Sequence, residues 1–282
     1  MRENKKLLFI TTGGTIACGE GDNLSPCHSG EELLKKVGIT GVKTDILDLF
    51  TIDSTDLNSD YLKRIYTAVR ENLSEYDGAV VLHGTDTLAY TAAMLGFMIK
   101  EKPVIVTGSM LPLTDKNSDG YDNIRLAFKA AISAEYKGCY VAFGGRIIDG
   151  RNVIKTDSHS SDPFRPYQEQ AAELFKEHFP ENPKLPRVVK LTPFTKADEI
   201  FCGEEYSGLI IEAYGAGGLP EKADILKRVK EIGAEKPVVI TTPCLSGTDL
   251  KRYSVGQRAL DCGCVELGLS TEAAAVWLWL NS

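Results

Sequence analysis

The chain has 282 residues, 43% of them hydrophobic and 25% charged, the make-up of a globular protein large enough for two domains. Its net charge of -7 argues against nucleic-acid and anionic-membrane partners, which favour basic faces. Lys5-Lys6 precede only the short run Leu7–Ile10, too little for a signal-peptide core, and no stretch is long enough to span a membrane.

Leu7-Leu8-Phe9-Ile10 reads as a buried strand, broken after Thr11-Thr12 by Gly13-Gly14, with Thr15 just past the break. A polar, glycine-bearing loop, Cys18–Asn23, follows. It suits either a mobile lid or a plain surface connection. Ser29 and Glu32 form a capping-box pattern ahead of a short helix, Glu31–Val37. Asp45–Phe50 reads as a strand running into the polar cluster Thr51-Ile52-Asp53-Ser54-Thr55-Asp56. Helical spacing marks Asp60–Leu73.

Ala79–Leu82 is a strand ending on His83-Gly84-Thr85-Asp86-Thr87, and Leu88–Ile99 is a helix. Pro103–Val106 ends on Thr107-Gly108-Ser109-Met110, a helix covers Tyr121–Tyr136, and Tyr140–Phe143 is a strand. This alternation predicts an α/β fold with a doubly wound, mostly parallel sheet. Arg146–Ile148 and Asn152–Ile154 flank Asp149-Gly150, a hairpin signal, and Lys155 leaves the second arm.

From Glu173 to Glu204, prolines and charges loosen the pattern, with one strand at Arg187–Leu191. The expected division is 1–184 as the larger domain, 185–206 as a linker and 207–282 as a smaller α/β domain. In the last part, Leu209–Glu212 and Val238–Thr241 read as strands. Lys222–Ile232, Ser254–Cys262 and Thr271–Leu280 read as helices. The seven cysteines are scattered and odd in number, which suits reduced thiols in the cytoplasm. Cys262-Gly263-Cys264 has no second Cys/His pair near it, so neither metal nor cofactor is expected.

Thr15, Ser54, Thr85 with Asp86, and Ser109 all follow strands of the parallel sheet, which places them along its carboxyl edge. A hydroxyl needs a base to become a good nucleophile, and this edge offers His83, Asp86 and Lys155. Lysine serves as a base only where desolvation or a cationic neighbour lowers its pKa, and a Thr85–Lys155–Asp86 cluster supplies such a setting. Each residue also has a plainer reading. Lys155 is a solvated hairpin lysine, His83 a hydrogen-bonded structural residue, Asp86 a helix N-cap, and Asp53 and Ser54 turn residues.

Thr12-Gly13-Gly14-Thr15-Ile16-Ala17 together with His83-Gly84-Thr85-Asp86-Thr87-Leu88 resembles the two signature motifs of the bacterial-type L-asparaginases. Asp53-Ser54-Thr55-Asp56, Thr107-Gly108-Ser109-Met110, Ser118-Asp119-Gly120, Asp149-Gly150-Arg151 with Lys155-Thr156, and the Ser246–Gly256 region are also similar to family segments. The compact length is similar to the cytoplasmic, type I branch. The resemblance implies hydrolysis of L-asparagine to L-aspartate and ammonia through an acyl-enzyme on Thr15. Thr85, Asp86 and Lys155 then complete the catalytic set, with backbone N–H groups near Thr85 as an oxyanion hole.

Asp53, Ser54, Thr55, Ser109 and Met110 become the substrate-binding candidates, with Asp86 and Ser54 holding the substrate's ammonium and carboxylate. A site finished by a neighbouring subunit is also implied, hence a homodimer or homotetramer. Relatives often carry a tyrosine in the lid. Here Cys18–His28 has none, Asn23 or Leu24 falls nearest, and Tyr253 is a distant substitute. Thr55 departs from the glutamine or serine of many relatives. The alternatives are a glutaminase-asparaginase of broader specificity, the amidase subunit of a tRNA-dependent amidotransferase, and a non-enzymatic nucleotide-binding module. The glycine turn is not G-x-G-x-x-G and no phosphate-binding lysine follows it, which speaks against the last.

Overall fold

The computed structural model describes residues 5–19, 28–167 and 174–282. The chain forms two compact units, Met1–Arg165 and Pro166–Ser282. In the first, strands β1 (Lys6–Gly13), β2 (Lys43–Ile52), β3 (Gly78–Leu82), β4 (Pro103–Thr107), β5 (Gly138–Phe143) and β6 (Arg146–Asp149) make one sheet. Its order is β2-β1-β3-β4-β5-β6, parallel except for the antiparallel β5–β6 pair. Helices α1 (Gly30–Val37), α2 (Ser59–Asn72), α3 (Leu88–Met98) and α4 (Gly120–Ala131) connect the strands.

Side chains alternate across a strand, and here both faces are apolar. Leu7, Phe9, Val80, Leu82 and Ile105 join Leu33 and Val37 of α1 and Ile124 and Phe128 of α4 in one core. Their strand neighbours Leu8, Ile10, Val81, Val104 and Val106 are equally buried. α1 starts with the capping box foreseen at Ser29 and Glu32, and Gly38 closes it in a left-handed conformation (φ 70°).

The order of the strands decides where a ligand belongs. The chain runs from β1 outward to β2, then returns to β3 on the other side of β1. The winding reverses between β1 and β3, and in open α/β sheets the crevice at such a point binds ligands.

Three expectations need correction. The helix drawn over Tyr121–Tyr136 stops at Ala131. Ile132 and Tyr136 keep packing on the core beyond it, so the apolar spacing continues after the helix has ended. The hairpin drawn across Asp149-Gly150 lies elsewhere. β5 and β6 turn at Gly144-Gly145, whose φ values of 55° and 76° are those of a primed turn. The Asp149 carboxylate instead accepts from the Arg151 N–H at 2.9 Å, which starts a short 3-10 turn at Gly150–Asn152. After it, β7 (Val153–Lys155) pairs with β8 (Phe164–Pro166) in a separate ribbon.

The third correction is the domain boundary. The division falls at 165/166 rather than 184, and the segment drawn as a linker supplies β9 (Leu185–Lys190) to the second unit. There β9, β10 (Tyr206–Glu212) and β11 (Val238–Thr241) form a parallel sheet in the order β11-β10-β9. Helices α5 (Ala223–Gly233), α6 (Ser254–Asp261) and α7 (Thr271–Leu280) complete it. Val189 of β9 packs with Ile211, Val229 and Ile240, so hydrophobic burial ties this strand to the second unit despite the prolines around it.

Candidate active site

Register brings the ends of the central strands of the first unit level. Thr11 of β1 stands opposite Leu82 of β3, Leu82 opposite Thr107 of β4, and Gly13 opposite Ile52 of β2. Thr15, Ser54, Thr85 and Ser109 therefore follow two or three residues after Gly13, Ile52, Leu82 and Thr107 respectively.

Glycines let these ends close on one another. Gly13 and Gly14 hold φ of 95° and 78°, a left-handed conformation that side chains resist. They are needed for space as well. A Cβ on Gly14 would run into the Gly84 Cα and lie 2.5 Å from the Gly84 nitrogen. A Cβ on Gly84 would lie 2.6 Å from the Ser54 hydroxyl oxygen. Thr15 and Thr85 thus each follow one of two glycines in direct contact, with Ser54 against the second. Thr15 is half-buried, whereas Thr85 and Ser54 are buried.

Lys155 reaches this rim from β7. Its ammonium donates to the Thr85 Oγ1 at 2.8 Å and to the Asp86 Oδ1 at 2.7 Å. The lysine side chain is 17% exposed and the aspartate 56%. Asp86 is therefore an ion-pair partner and not the helix cap; Thr87 occupies the N-cap of α3 and donates its hydroxyl to the Ser54 carbonyl at 2.7 Å. Lys155 is likewise not a solvated hairpin residue.

His83 is sealed in, 1% exposed. Its Nδ1 lies 2.7 Å from the Gly84 carbonyl oxygen, which only accepts, so Nδ1 carries the proton. Nε2 then accepts from the Thr91 hydroxyl at 2.9 Å. Burial pushes the imidazole down to about 4, against the opposing pull of the Gly84 carbonyl. A neutral ring with both nitrogens occupied is a strut under Gly84 and not a base.

The remaining candidates divide. Asp53 is exposed and accepts from the N–H and hydroxyl of Thr55, both at 2.8 Å, so these two close their own turn. Ser109 is buried and donates its hydroxyl to the Leu111 carbonyl. The Met110 N–H is held by both oxygens of Asp119 at 3.0 Å. Tyr253 lies in the second unit, 54% exposed, under the Arg252 guanidinium. Asn23, Leu24 and most of the proposed lid lie outside the described residues.

Sequence reasoning passed over Asn123. It is 2% exposed on α4 and bonded to Gly108, Asp119 and Gly144. The available signal was a lone amide among the apolar positions of that helix. Among the described residues, no three His, Cys, Asp or Glu side chains are grouped to hold a metal ion.

Comparison with known proteins bears on what this rim does. The family model described as asparaginase, N-terminal, matches residues 6–183. An L-asparaginase of Thermococcus kodakarensis is 38% identical, over 96% of this chain and 90% of its own length. L-asparaginase 1 of Escherichia coli K12 is 30% identical, over 93% and 87%. A solved structure of the thermostable T. kodakarensis L-asparaginase superposes with a TM-score of 0.84 at 34% identity, covering 98% of this chain and 93% of that one.

Proposed function

Since this chain belongs to the asparaginase family, we propose that it converts L-asparagine to L-aspartate and ammonia through an acyl-enzyme on Thr15. The Thr15 oxygen attacks the side-chain carboxamide carbon and passes its proton toward the departing nitrogen. The C–O bond forms, the C–N bond breaks, and ammonia leaves. Water then attacks the ester, releases aspartate and restores the Thr15 hydroxyl. In this reading Thr85, Lys155 and Asp86 form the proton-handling set of the site.

The observation that carries the reading is the Lys155 bridge, 2.8 Å to Thr85 and 2.7 Å to Asp86, at the strand end touching the turn before Thr15. An ammonium so placed orients the Thr85 hydroxyl and offers charge where the tetrahedral intermediate develops its own. In this reading the Thr85 N–H serves the oxyanion. Ser54 and Asp86 then hold the amino acid's own charges, with Asp53, Thr55, Ser109 and Met110 as further substrate-binding candidates in the neighbouring turns. We assign the protein to the cytoplasm and to a homodimer or homotetramer. Among the described residues, no helix is long and apolar enough to cross a membrane.

Thr15→Ala tests the proposal. It should keep the wild-type melting profile and abolish both ammonia release and the acyl-enzyme seen by intact mass; an active variant would refute the assignment. Ammonia release from free asparagine, with no tRNA or partner added, separates this reading from an amidotransferase subunit. The asparagine-to-glutamine ratio of kcat/KM separates it from a broader glutaminase-asparaginase. One methylene is worth roughly 1–3 kcal/mol in a pocket.

A further inference from the structure

We infer that Asn123 is a positioning residue for this hydrolysis: it sets the separation between Thr85 and Lys155. The inference rests on the roles proposed above for those two residues.

Asn123 sits on α4, on the face that sends Ile124, Ala127 and Phe128 into the core. A polar side chain at such a place is costly unless its bonds are made. Here they are made in two directions. The amide nitrogen donates to the Gly108 carbonyl and to the Asp119 Oδ2, both at 3.0 Å. The amide oxygen accepts from the Gly144 N–H at 3.1 Å.

The first direction leads to Thr85. Gly108 follows β4, and a Cβ there would strike the His83 carbonyl and lie 3.7 Å from the Thr85 methyl carbon. The turn carrying Thr85 therefore rests on the Gly108 backbone. The second direction leads to Lys155. Gly144 opens the β5–β6 turn, and a Cβ there would lie 2.5 Å from the Asp162 Oδ1. Asp162 pairs with Arg146 at 3.2 Å and Arg165 at 3.0 Å, which fixes the loop returning to β8. At the end of β7, beside Lys155, the Thr156 N–H donates to the Pro163 carbonyl of that loop at 2.8 Å.

One buried amide thus joins the supports of the two groups that meet at 2.8 Å. Its orientation is not free. The Asp119 carboxylate also accepts from the N–H groups of Met110 and Leu111, so its charge faces Asn123 with acceptors only. Turning the amide over would set its oxygen against that carboxylate and against the Gly108 carbonyl. Buried networks whose members are all paired hold one geometry, and this one spans from β4 to the turn after β5.

The test is a double-mutant cycle on ammonia release from asparagine: wild type, Asn123→Asp, Lys155→Met and the double variant, each with its melting temperature. Asn123→Asp keeps the oxygen facing Gly144 and sets a second oxygen against Gly108 and Asp119. It should lower kcat by on the order of 10- to 100-fold, the scale of an ångström-sized misplacement, with KM within about threefold of wild type. In the Lys155→Met background the same change should cost less than about threefold, because the separation it controls no longer matters. Losses that multiply in the double variant, or an unchanged kcat in Asn123→Asp, overturn the inference. A Lys155→Met protein as active as wild type overturns instead the underlying roles. If Asn123→Asp does not fold, Asp119→Asn enters the same cycle. It removes the charge that orients the amide, and it must show the same non-additivity or the inference fails.

Discussion

The two rims of the six-stranded sheet are both polar, and they differ in how the polarity is held. At the amino-terminal rim the charges are exposed or half-exposed and neutralise one another. Lys5 pairs with Asp77 at 3.1 Å, Lys6 with Asp45 at 2.8 Å and Arg70 with Glu101 at 3.2 Å. Lys102 donates to the carbonyls of Leu73, Ser74 and Tyr76. Clefts of about 230 Å³ and about 480 Å³ open there. At the carboxyl-terminal rim, Thr12, Ser54, His83, Thr85, Thr107, Ser109 and Asn123 are all buried. Desolvated polar groups demand partners and hold geometry, whereas solvated ion pairs contribute little. The two rims therefore differ in how firmly their polar groups are held, and the buried set marks the carboxyl rim as the candidate site.

The sharpest way to break that contrast is to remove the lysine of the carboxyl rim. Lys155→Met keeps the stem and deletes the charge that joins Thr85 to Asp86. The expected loss in kcat is about 10²- to 10⁴-fold, the range for a group that handles protons in the transition state. KM for asparagine should move far less. Steady-state ammonia release decides it, and a variant with more than a tenth of wild-type kcat would show the bridge to be merely structural.

Backbone contact is the next test. Gly14→Ala places a methyl group against Gly84 at a φ of 78°. Strain and overpacking together should cost about 3 kcal/mol or more and separate Thr15 from Thr85. Gly38 has nearly the same φ, 70°, with nothing within 4 Å of an added Cβ. Its alanine variant should lose only about 1 kcal/mol and no activity. Denaturant unfolding of both variants measures the difference, and equal losses would mean that the meeting of the strand ends adds nothing.

Much of this contrast was legible beforehand, for reasons that also explain the gaps. Strands buried on both faces write themselves as short apolar runs, so β3, β4 and β11 were drawn to within a residue. The glycine turn after β1 and the polar cluster after β3 stood out because an apolar run stops there on residues that serve no core. What escaped was set by contacts distant in sequence. Gly144-Gly145 and Asp149-Gly150 are both hairpin signals only five residues apart, and the first turns the chain while the Asp149 carboxylate is diverted by Arg151. β9 is read as a strand but allotted to a linker, because its proline-rich surroundings give no sign that Val189 is buried by β10 and α5. Asn123 escaped since a single amide on an apolar helix face acquires meaning only once Gly108 and Gly144 are seen on either side of it.

A smaller effect is expected from His83, which belongs to the carboxyl rim but carries no charge. Its folded pKa, about 4, lies below the unfolded value near 6.5. Below 6.5 the unfolded chain takes up a proton that the folded ring refuses. The stability due to the neutral ring is therefore complete above that pH and declines as pH falls toward 4, by roughly 3 kcal/mol in all. Other groups titrate in the same window, so the informative quantity is wild type minus His83→Gln. That difference should shrink steadily from pH 7 to pH 4, and a flat difference would mean the ring is not buried neutral.

The smallest effect should come from the opposite rim. Lys102 places one ammonium on the carbonyls of Leu73, Ser74 and Tyr76, just past the end of α2, at 3.0, 2.9 and 2.6 Å. Cations stabilise helix carboxyl ends, and charge-assisted bonds are stronger than neutral ones, but this lysine is partly solvated. Lys102→Met should cost about 1–2 kcal/mol, read as a lowered denaturant midpoint. Its kcat and KM should stay within about twofold of wild type, because the sheet separates it from Thr85. A large loss of activity at unchanged stability would mean that the cleft beside Lys102 communicates with the carboxyl rim, and the division of labour between the two edges would have to be abandoned.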